Sequence, residues 1–420
     1  MRPLIACCLL LLTLNADHAP AGNAYYDFPE TIIAHNQHNI KDGTLSQLLA
    51  ICGYYRESMQ YEDSAGAVKL SLAGYKVSAA KPEIIKEAEK YRFLLINEAH
   101  NRPQHRLFTK SLLKELYAKG YRVFMAEGIW QGNTLATKGY PVLTDGRLIN
   151  EPNYASLLRY ARKLGYKIYA YEYEPAKQTW DDSIKLDQYG SMKYLSYEPK
   201  DSMSVIRNEK GEITWLHYTS VREQQQAANI VKVVKQNPGA RFVIHVGYAH
   251  LLECCSMMTS QLRTLLNQEE VLTINQTNLN ERRTILDTTT GNIISRPFFY
   301  LLKYNDQHKF YRNAESGAVD LNVFNAQLKD SLNRPGYLWL DVEKRFPYYI
   351  PADQLKDGPC IYSAYDAAEY AAEGSNTIAK DVIYVKDVNA APPLLLYKGR
   401  YTIVKKTQDG RYSSFTANIP

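Results

Sequence analysis

Two short clusters of acid–base residues stand out in the chain: Glu98-Ala99-His100 with His105 a turn later, and Gly247-Tyr248-Ala249-His250. Of the nine histidines, four (His100, His105, His245 and His250) fall within these two stretches or directly before them. Glu127, Glu172 and Glu174 each follow a short apolar run, and Arg222 opens a polar stripe with Gln226 and Asn229 at helical spacing. A carboxylate beside an imidazole orients and charges a general base that can activate water, and a guanidinium can stabilise the oxyanion formed on an attacked carbonyl. In that chemistry His100 or His250 is the base, Glu98 or Glu127 its orienting partner and Arg222 the oxyanion stabiliser. His105, Glu172, Glu174 and Tyr248 are then the candidates for substrate contacts.

Each residue alone has a plainer explanation. Glu98 or Glu127 could cap a helix N-terminus, where the dipole favours a negative charge. His100 and His250 could be hydrogen-bonded loop residues, and His245, in mid-strand, reads as a core histidine. Ser220-Val221-Arg222-Glu223 matches a capping box, which accounts for Glu223 without catalysis. No Gly-x-Ser-x-Gly turn occurs, which disfavours a serine nucleophile. Glu98, His100, Glu127 and His250 form an N/O set compatible with a divalent metal, but a His-Glu-x-x-His helix is absent and no metal ligand is assigned.

The elements that must position these groups follow a regular pattern. Short apolar runs at 92–97, 123–127, 167–171, 241–246 and 270–274 read as buried parallel strands. Helical periods lie between them, at about 101–119, 153–164, 220–236 and 256–266, the first opened by an Asn101 cap with Pro103. This alternation predicts an α/β fold with a largely parallel sheet flanked by helices, in a domain spanning 22–280. In such sheets ligands bind beyond the carboxyl ends of the strands, where the candidate residues sit. A long aperiodic stretch at 172–218, rich in tyrosine and containing Trp180, reads as a lid insertion that would select the substrate. Beyond it, 281–420 carries short strands, including 337–340, and reads as a β-rich C-terminal extension.

The motifs also carry a family resemblance. Leu95-Ile96-Asn97-Glu98-Ala99-His100-Asn101-Arg102-Pro103-Gln104-His105 resembles the Gly-Glu-x-His-Asp-x-x-x-His signature of the ChaN-like haem-binding proteins, whose superfamily includes the erythromycin esterases and, more distantly, the Tiki proteases. Val123 to Glu127 looks like that family's second strand. Arg222-Glu223-Gln224-Gln225-Gln226-Ala227-Ala228-Asn229 resembles its Arg-Asp-x-x-Met-Ala-x-Asn helix, and Gly247-Tyr248-Ala249-His250 its Gly-x-x-His element. The match covers about 92–277. Asn97 departs from the signature glycine, Glu223 from the aspartate and Gln226 from the methionine. The esterase branch implies a hydrolase site. The ChaN-like branch implies instead an exported protein that binds haem or another planar ligand through Tyr248, His250 and the tyrosine-rich lid. An interaction module with a degenerate site is a third reading.

Composition narrows the partners. The 420 residues carry a net charge of only +6 with no dense Lys/Arg run, which argues against a nucleic-acid binder and leaves a small-molecule substrate or ligand. Tyrosine is abundant at 34 residues, which suits wet grooves and half-exposed strands equally. Arg2 followed by the apolar run 4–14 and Ala19-Pro20-Ala21 resembles a cleaved signal peptide over 1–21, implying export to a periplasm or the exterior. A lipobox at Leu4-Ile5-Ala6-Cys7, which would give a lipid-anchored form, is the rival reading. No stretch has the length of a transmembrane segment. Of the six cysteines, Cys52, Cys254, Cys255 and Cys360 would remain, without a C-x-x-C motif; buried free thiols are favoured over long-range disulfides.

Overall fold

The computed structural model describes residues 26–36, 44–61, 67–173, 215–254, 256–267, 271–279, 284–296, 298–304, 309–311, 319–326, 328–356 and 358–420. The expected signal peptide, Glu174 and most of the expected lid lie outside these residues.

At the centre is a six-stranded, all-parallel sheet. Its strands are β1 (Phe93–Glu98), β2 (Tyr121–Ala126), β3 (Lys167–Ala170), β4 (Arg241–Gly247), β5 (Val271–Asn275) and β6 (Leu321–Asn322), in the spatial order β6-β5-β1-β4-β2-β3. The helices that matter for the site are α1 (Pro103–Ala118), α2 (Pro152–Leu164), α3 (Trp215–Gln236) and α4 (Met258–Leu265). The α/β expectation therefore holds, and the strand alternation explains it. Leu94, Ile96, Phe124, Val243 and Leu272 point to one face, where Phe108, Leu112 and Leu116 of α1 and Leu157 and Leu158 of α2 cover them. Phe93, Leu95, Val123, Met125, Phe242 and Ile244 point to the other, beneath Ala227, Ile230 and Val234 of α3 and Leu262 of α4. Both faces are buried, so the strands are apolar throughout rather than alternating with polar residues.

The C-terminal β-rich region is an antiparallel sheet of Cys360–Asp366, Asp381–Val385, Gly399–Thr407 and Tyr412–Ile419. It packs against the N-terminal helices through Ile32, Leu45, Leu49, Ile361 and Val382. Two buried polar contacts tie it to the α/β layers: Lys110 Nζ to Asp341 Oδ1 at 2.7 Å, and Arg345 Nη2 to Asn153 Oδ1 at 2.6 Å.

Several local expectations differ. β6 comes from beyond residue 280 and completes the parallel sheet at its edge. Residues 336–340 form a 3-10 helix after Pro335, not a strand. Arg102, not Asn101, precedes α1; the Asn101 amide bonds Ser46 Oγ at 2.8 Å instead. α3 begins at Trp215, so Ser220–Glu223 lies inside the helix and is not a capping box. Among the described residues Cys52, Cys254 and Cys360 form no disulfide, and burial pushes the Cys52 thiol up to about 12. No described helix is long and apolar enough to cross a membrane.

Candidate active site

β1 and β4 are neighbours, with Glu98 in register with Gly247. Their chains leave the sheet in opposite directions, β1 into α1 on one face and β4 into α4 on the other. A crevice opens where adjacent strands diverge in this way. Glu98, His100, Glu127, Glu172, Arg222 and His250 all converge there.

The first group forms around β1. Glu98 is buried at the strand end, and Arg106 from the first turn of α1 grips it, Nε to Oε2 at 2.6 Å and Nη2 to Oε1 at 2.7 Å. Arg106 also reaches Glu151 Oε2 at 2.8 Å, the residue that caps α2. Burial by itself would raise the Glu98 pKa, but the Arg106 guanidinium outweighs it and holds the carboxyl well below the usual range. His100 Nδ1 lies 2.8 Å from Glu98 Oε1. An ionised carboxylate there accepts an N–H from Nδ1 and turns Nε2 toward Glu127. That Nε2 lies 4.0 Å from Glu127 Oε1.

A second group of the same kind forms around β4. His250 Nδ1 meets Glu223 Oε1 at 2.6 Å, an ion-pair contact outside good hydrogen-bond angles. Its Nε2 lies 3.5 Å from the same Glu127 Oε1. Burial lowers the His250 pKa, but Glu127 and Glu223 outweigh it and push it up to about 9. Arg222 opposes them: its Nη1 lies 2.7 Å from Nε2, and two N–H groups cannot face each other so closely. These distances describe a ring whose Nε2 accepts from Arg222. On protonation, Nε2–H must turn to Glu127. The net direction is upward, because a carboxylate flanks each ring nitrogen.

Glu127 is thus the shared centre. Arg222 Nη2 donates to its Oε1 at 2.6 Å, and the Gly247 N–H donates to its Oε2. Burial would raise Glu127, yet His250 and Arg222 hold it well below the usual range. Arg222 is itself clamped by Glu172, Nε to Oε1 and Nη2 to Oε2, each at 3.0 Å. The polar stripe of α3 faces this rim: Gln226 donates to Glu172 Oε1 at 2.9 Å, and Asn229 to the Tyr171 carbonyl at 3.1 Å.

Gly247 is glycine for a steric reason. A Cβ there would lie 2.5 Å from Glu127 Oε2 and 2.6 Å from His100 Cε1. The next residue, Tyr248, has φ +35°, rare for a bulky side chain and a sign of stored strain. Its half-exposed ring stands edge-on to His100 with centroids 5.1 Å apart, and its carbonyl accepts from Asn97 Nδ2 at 2.9 Å.

Not every candidate reaches the crevice. His105 is fully buried, its Nδ1 accepting the Ala99 N–H at 3.0 Å, and burial lowers it to about 3. It supports the β1–α1 turn and has no path to a substrate. His245 is a buried core histidine, lowered to about 4 by burial, with Nε2 3.6 Å from Glu98 Oε2. Two participants went unread in the sequence. Glu223 was hidden behind its likeness to a capping box. Arg147, whose Nη2 lies 3.9 Å from Glu127 Oε1, comes from an aperiodic loop with no motif to mark it.

Cofactor fit follows from the donor set. Among the described residues no three His, Cys, Asp or Glu side chains are arranged to hold a metal ion, and Arg222 is the cation between Glu127 and Glu172. For haem, His250 Nε2 lies against Arg222, and the flanking groups are charged where a macrocycle needs apolar walls. The described residues around His250 and Arg222 do not fit either group, and no step is derived through one.

No family model matches the chain, and no curated relative does. Two solved structures are similar to it. The type III effector HopBA1 is 9% identical over 60% of this chain and 96% of that one, with a TM-score of 0.34. The C-terminal region of Pasteurella multocida toxin, described as having a thiol-protease like catalytic triad, is 11% identical over 92% of this chain and 54% of that one, with a TM-score of 0.29. Likenesses this faint leave the chemistry to be read from the site's own geometry.

Proposed function

We propose that the protein is an exported hydrolase of the erythromycin-esterase-like class, cleaving a carboxylic ester with water activated by histidine. The observation that carries this reading is the pair of Glu–His groups. Glu98 bonds His100 through Nδ1, Glu223 pairs with His250 at Nδ1, and both histidines turn Nε2 toward Glu127. His100, with its lone pair on Nε2, takes a proton from water, and the resulting hydroxide attacks the ester carbonyl carbon. His250 in its protonated form gives a proton to the leaving alkoxide. His100 then gives its proton to solvent and His250 takes one from solvent, which restores the starting state. Glu98 steadies the imidazolium that His100 becomes, without itself taking the proton. Export rests on the signal-like stretch at 1–21, and the esterase class on the resemblance of the four motifs.

The test is hydrolysis of a panel of p-nitrophenyl esters and lactones in water enriched in oxygen-18. The expected result is release of alcohol and acid by the wild-type chain, one heavy oxygen entering the acid, and none of this with His100→Ala. Failure of the wild-type chain to hydrolyse any ester or lactone in the panel overturns the reading.

A further inference from the structure

Arg222 cannot readily receive substrate oxygen, although its place at the rim invites that role. Its Nε and Nη2 are bonded to Glu172 and Glu127, and its Nη1 is turned to His250. Arg147 differs on every count. Its Nε is buried without a hydrogen-bond partner, and its Nη2, 3.9 Å from Glu127 Oε1, is beyond hydrogen-bond range. Glu127 already has Arg222 at 2.6 Å and does not depend on Arg147 for a counter-charge. The Arg147 side chain is 32% exposed, against 13% for Arg222, which places it nearer the mouth of the crevice.

The backbone beneath Arg147 is built to hold it there. Its N–H donates to the Gly128 carbonyl at 2.9 Å, Trp130 N–H donates to the Asp145 carbonyl at 2.8 Å, and Ile129 bridges Gly146. The approach needs glycine: a Cβ on Gly146 would lie 2.1 Å from the Gly128 oxygen. The segment 145–147 is thereby pinned to the exit of β2, one residue past Glu127. A guanidinium with an unused Nε donor, carried on a pinned backbone beside Glu127, can offer its fork to an oxygen anion.

We infer that Arg147 binds the anionic oxygen of the ligand at this site. That oxygen belongs either to a carboxylate on the substrate or to the oxyanion formed on the attacked carbonyl. The identity of the bound group rests on the hydrolytic reading above; the binding itself does not require turnover.

The test is calorimetric titration of the full chain with inorganic phosphate and with benzoate at constant ionic strength. The wild-type chain is expected to bind both, and R147Q to bind them about tenfold to hundredfold more weakly, the range for charge-assisted hydrogen bonds. R411Q, which removes the same charge from an exposed arginine, is expected to bind as wild type. R147K keeps the charge but lacks the fork; it is expected to bind more weakly than wild type and serves if R147Q fails to fold. No binding by the wild-type chain, or wild-type binding by R147Q or by R147K, overturns the inference. On cleaved esters the two sources separate: a higher KM confined to carboxylate-bearing esters marks the substituent, and a lower kcat on neutral esters marks the oxyanion. If phosphate binding follows Arg147 while no ester is cleaved, the anion site stands and the hydrolytic reading falls.

Discussion

His250 Nδ1 sits 2.6 Å from Glu223 Oε1 of α3, which puts a carboxylate beside this imidazole as Glu98 is beside His100. Adjacent strands that diverge at their ends thus each deliver an imidazole backed by a carboxylate. The shared target is Glu127, at the end of the next strand. This arrangement separates the roles of the two rings. Glu98 stays ionised beside His100 Nδ1, while Glu127 and Glu223 flank His250 and favour its charged form.

Glu223→Gln should lower the His250 pKa from about 9 toward its ordinary value, because one of the two carboxylates that raise it is removed. The sign for stability follows. A histidine with a raised folded-state pKa contributes stability that is fully present below its unfolded value near 6.5, and loses it as pH rises through about 9. Wild-type stability should therefore fall between these values, and the fall should shrink in E223Q. A proton NMR titration of the His250 ring, with thermal melts across the same window, checks both. An unchanged titration would show that Glu223 is not coupled to His250.

Gly247→Ala should leave the fold and remove turnover. Gly247 has φ −89°, which any residue adopts, so the effect is steric. The new methyl would enter the space of Glu127 Oε2 and the His100 ring. A stability loss of about 1–3 kcal/mol is expected from overpacking, with kcat reduced about a hundredfold or more. Melting curves and turnover measured on one preparation separate the two effects; full activity would mean that the Glu127–His100 spacing does not matter.

Arg106→Met should be severe. It leaves Glu98 and Glu151 buried without their shared cation, for which a cost of about 3–5 kcal/mol is expected. Glu98 has a depressed pKa, so its ion pair contributes stability that is present above the unfolded carboxylate value and lost as pH falls through the folded one. The variant should accordingly lose much of the acid-side slope of the wild type. Urea midpoints measured at neutral and acid pH test this, and a shift confined to neutral pH is the expected pattern.

Asn97→Gly installs the glycine of the signature that this stretch resembles and should weaken this protein. Asn97 accepts the Gln276 N–H at 2.7 Å and donates to the Tyr248 carbonyl at 2.9 Å and Asn275 Oδ1 at 3.0 Å. Losing these bonds leaves buried polar groups unmatched, at about 1–3 kcal/mol. Amide hydrogen exchange at 247–251 should rise with the variant, since Tyr248 is held in a strained conformation. Unchanged exchange would show that Asn97 does not hold that turn.

Much of the site is legible in the sequence because of how parallel strands end. A strand buried on both faces must be apolar, so the first charged residue after each run, Glu98, Glu127 and Glu172, marks the rim by contrast. Gly247 ends β4 and His250 follows it in the same way. What stays hidden has no such contrast. Glu223 lies about two turns into α3, where a local capping pattern explains it as well as catalysis does; only the distant His250 and the Met258 N–H reveal its task. Arg147 is placed by backbone pairing between 128–130 and 145–147, which no period records. β6 is only two residues long, too short to register as a strand before Asn275 and Asn322 are seen in register. His105 misleads in the other direction, since helical spacing cannot say that its ring turns back to bond Ala99.

In the proposed mechanism His100 and His250 act together on one bond. The most direct measurement is turnover of the best ester found for the wild-type chain by His100→Gln, His250→Gln and the double variant, each with a native circular dichroism spectrum. The account predicts that each single change lowers kcat about a hundredfold or more and that the double change costs far less than the product of the two, since the residues work as a unit. Wild-type turnover by either folded single variant would contradict it.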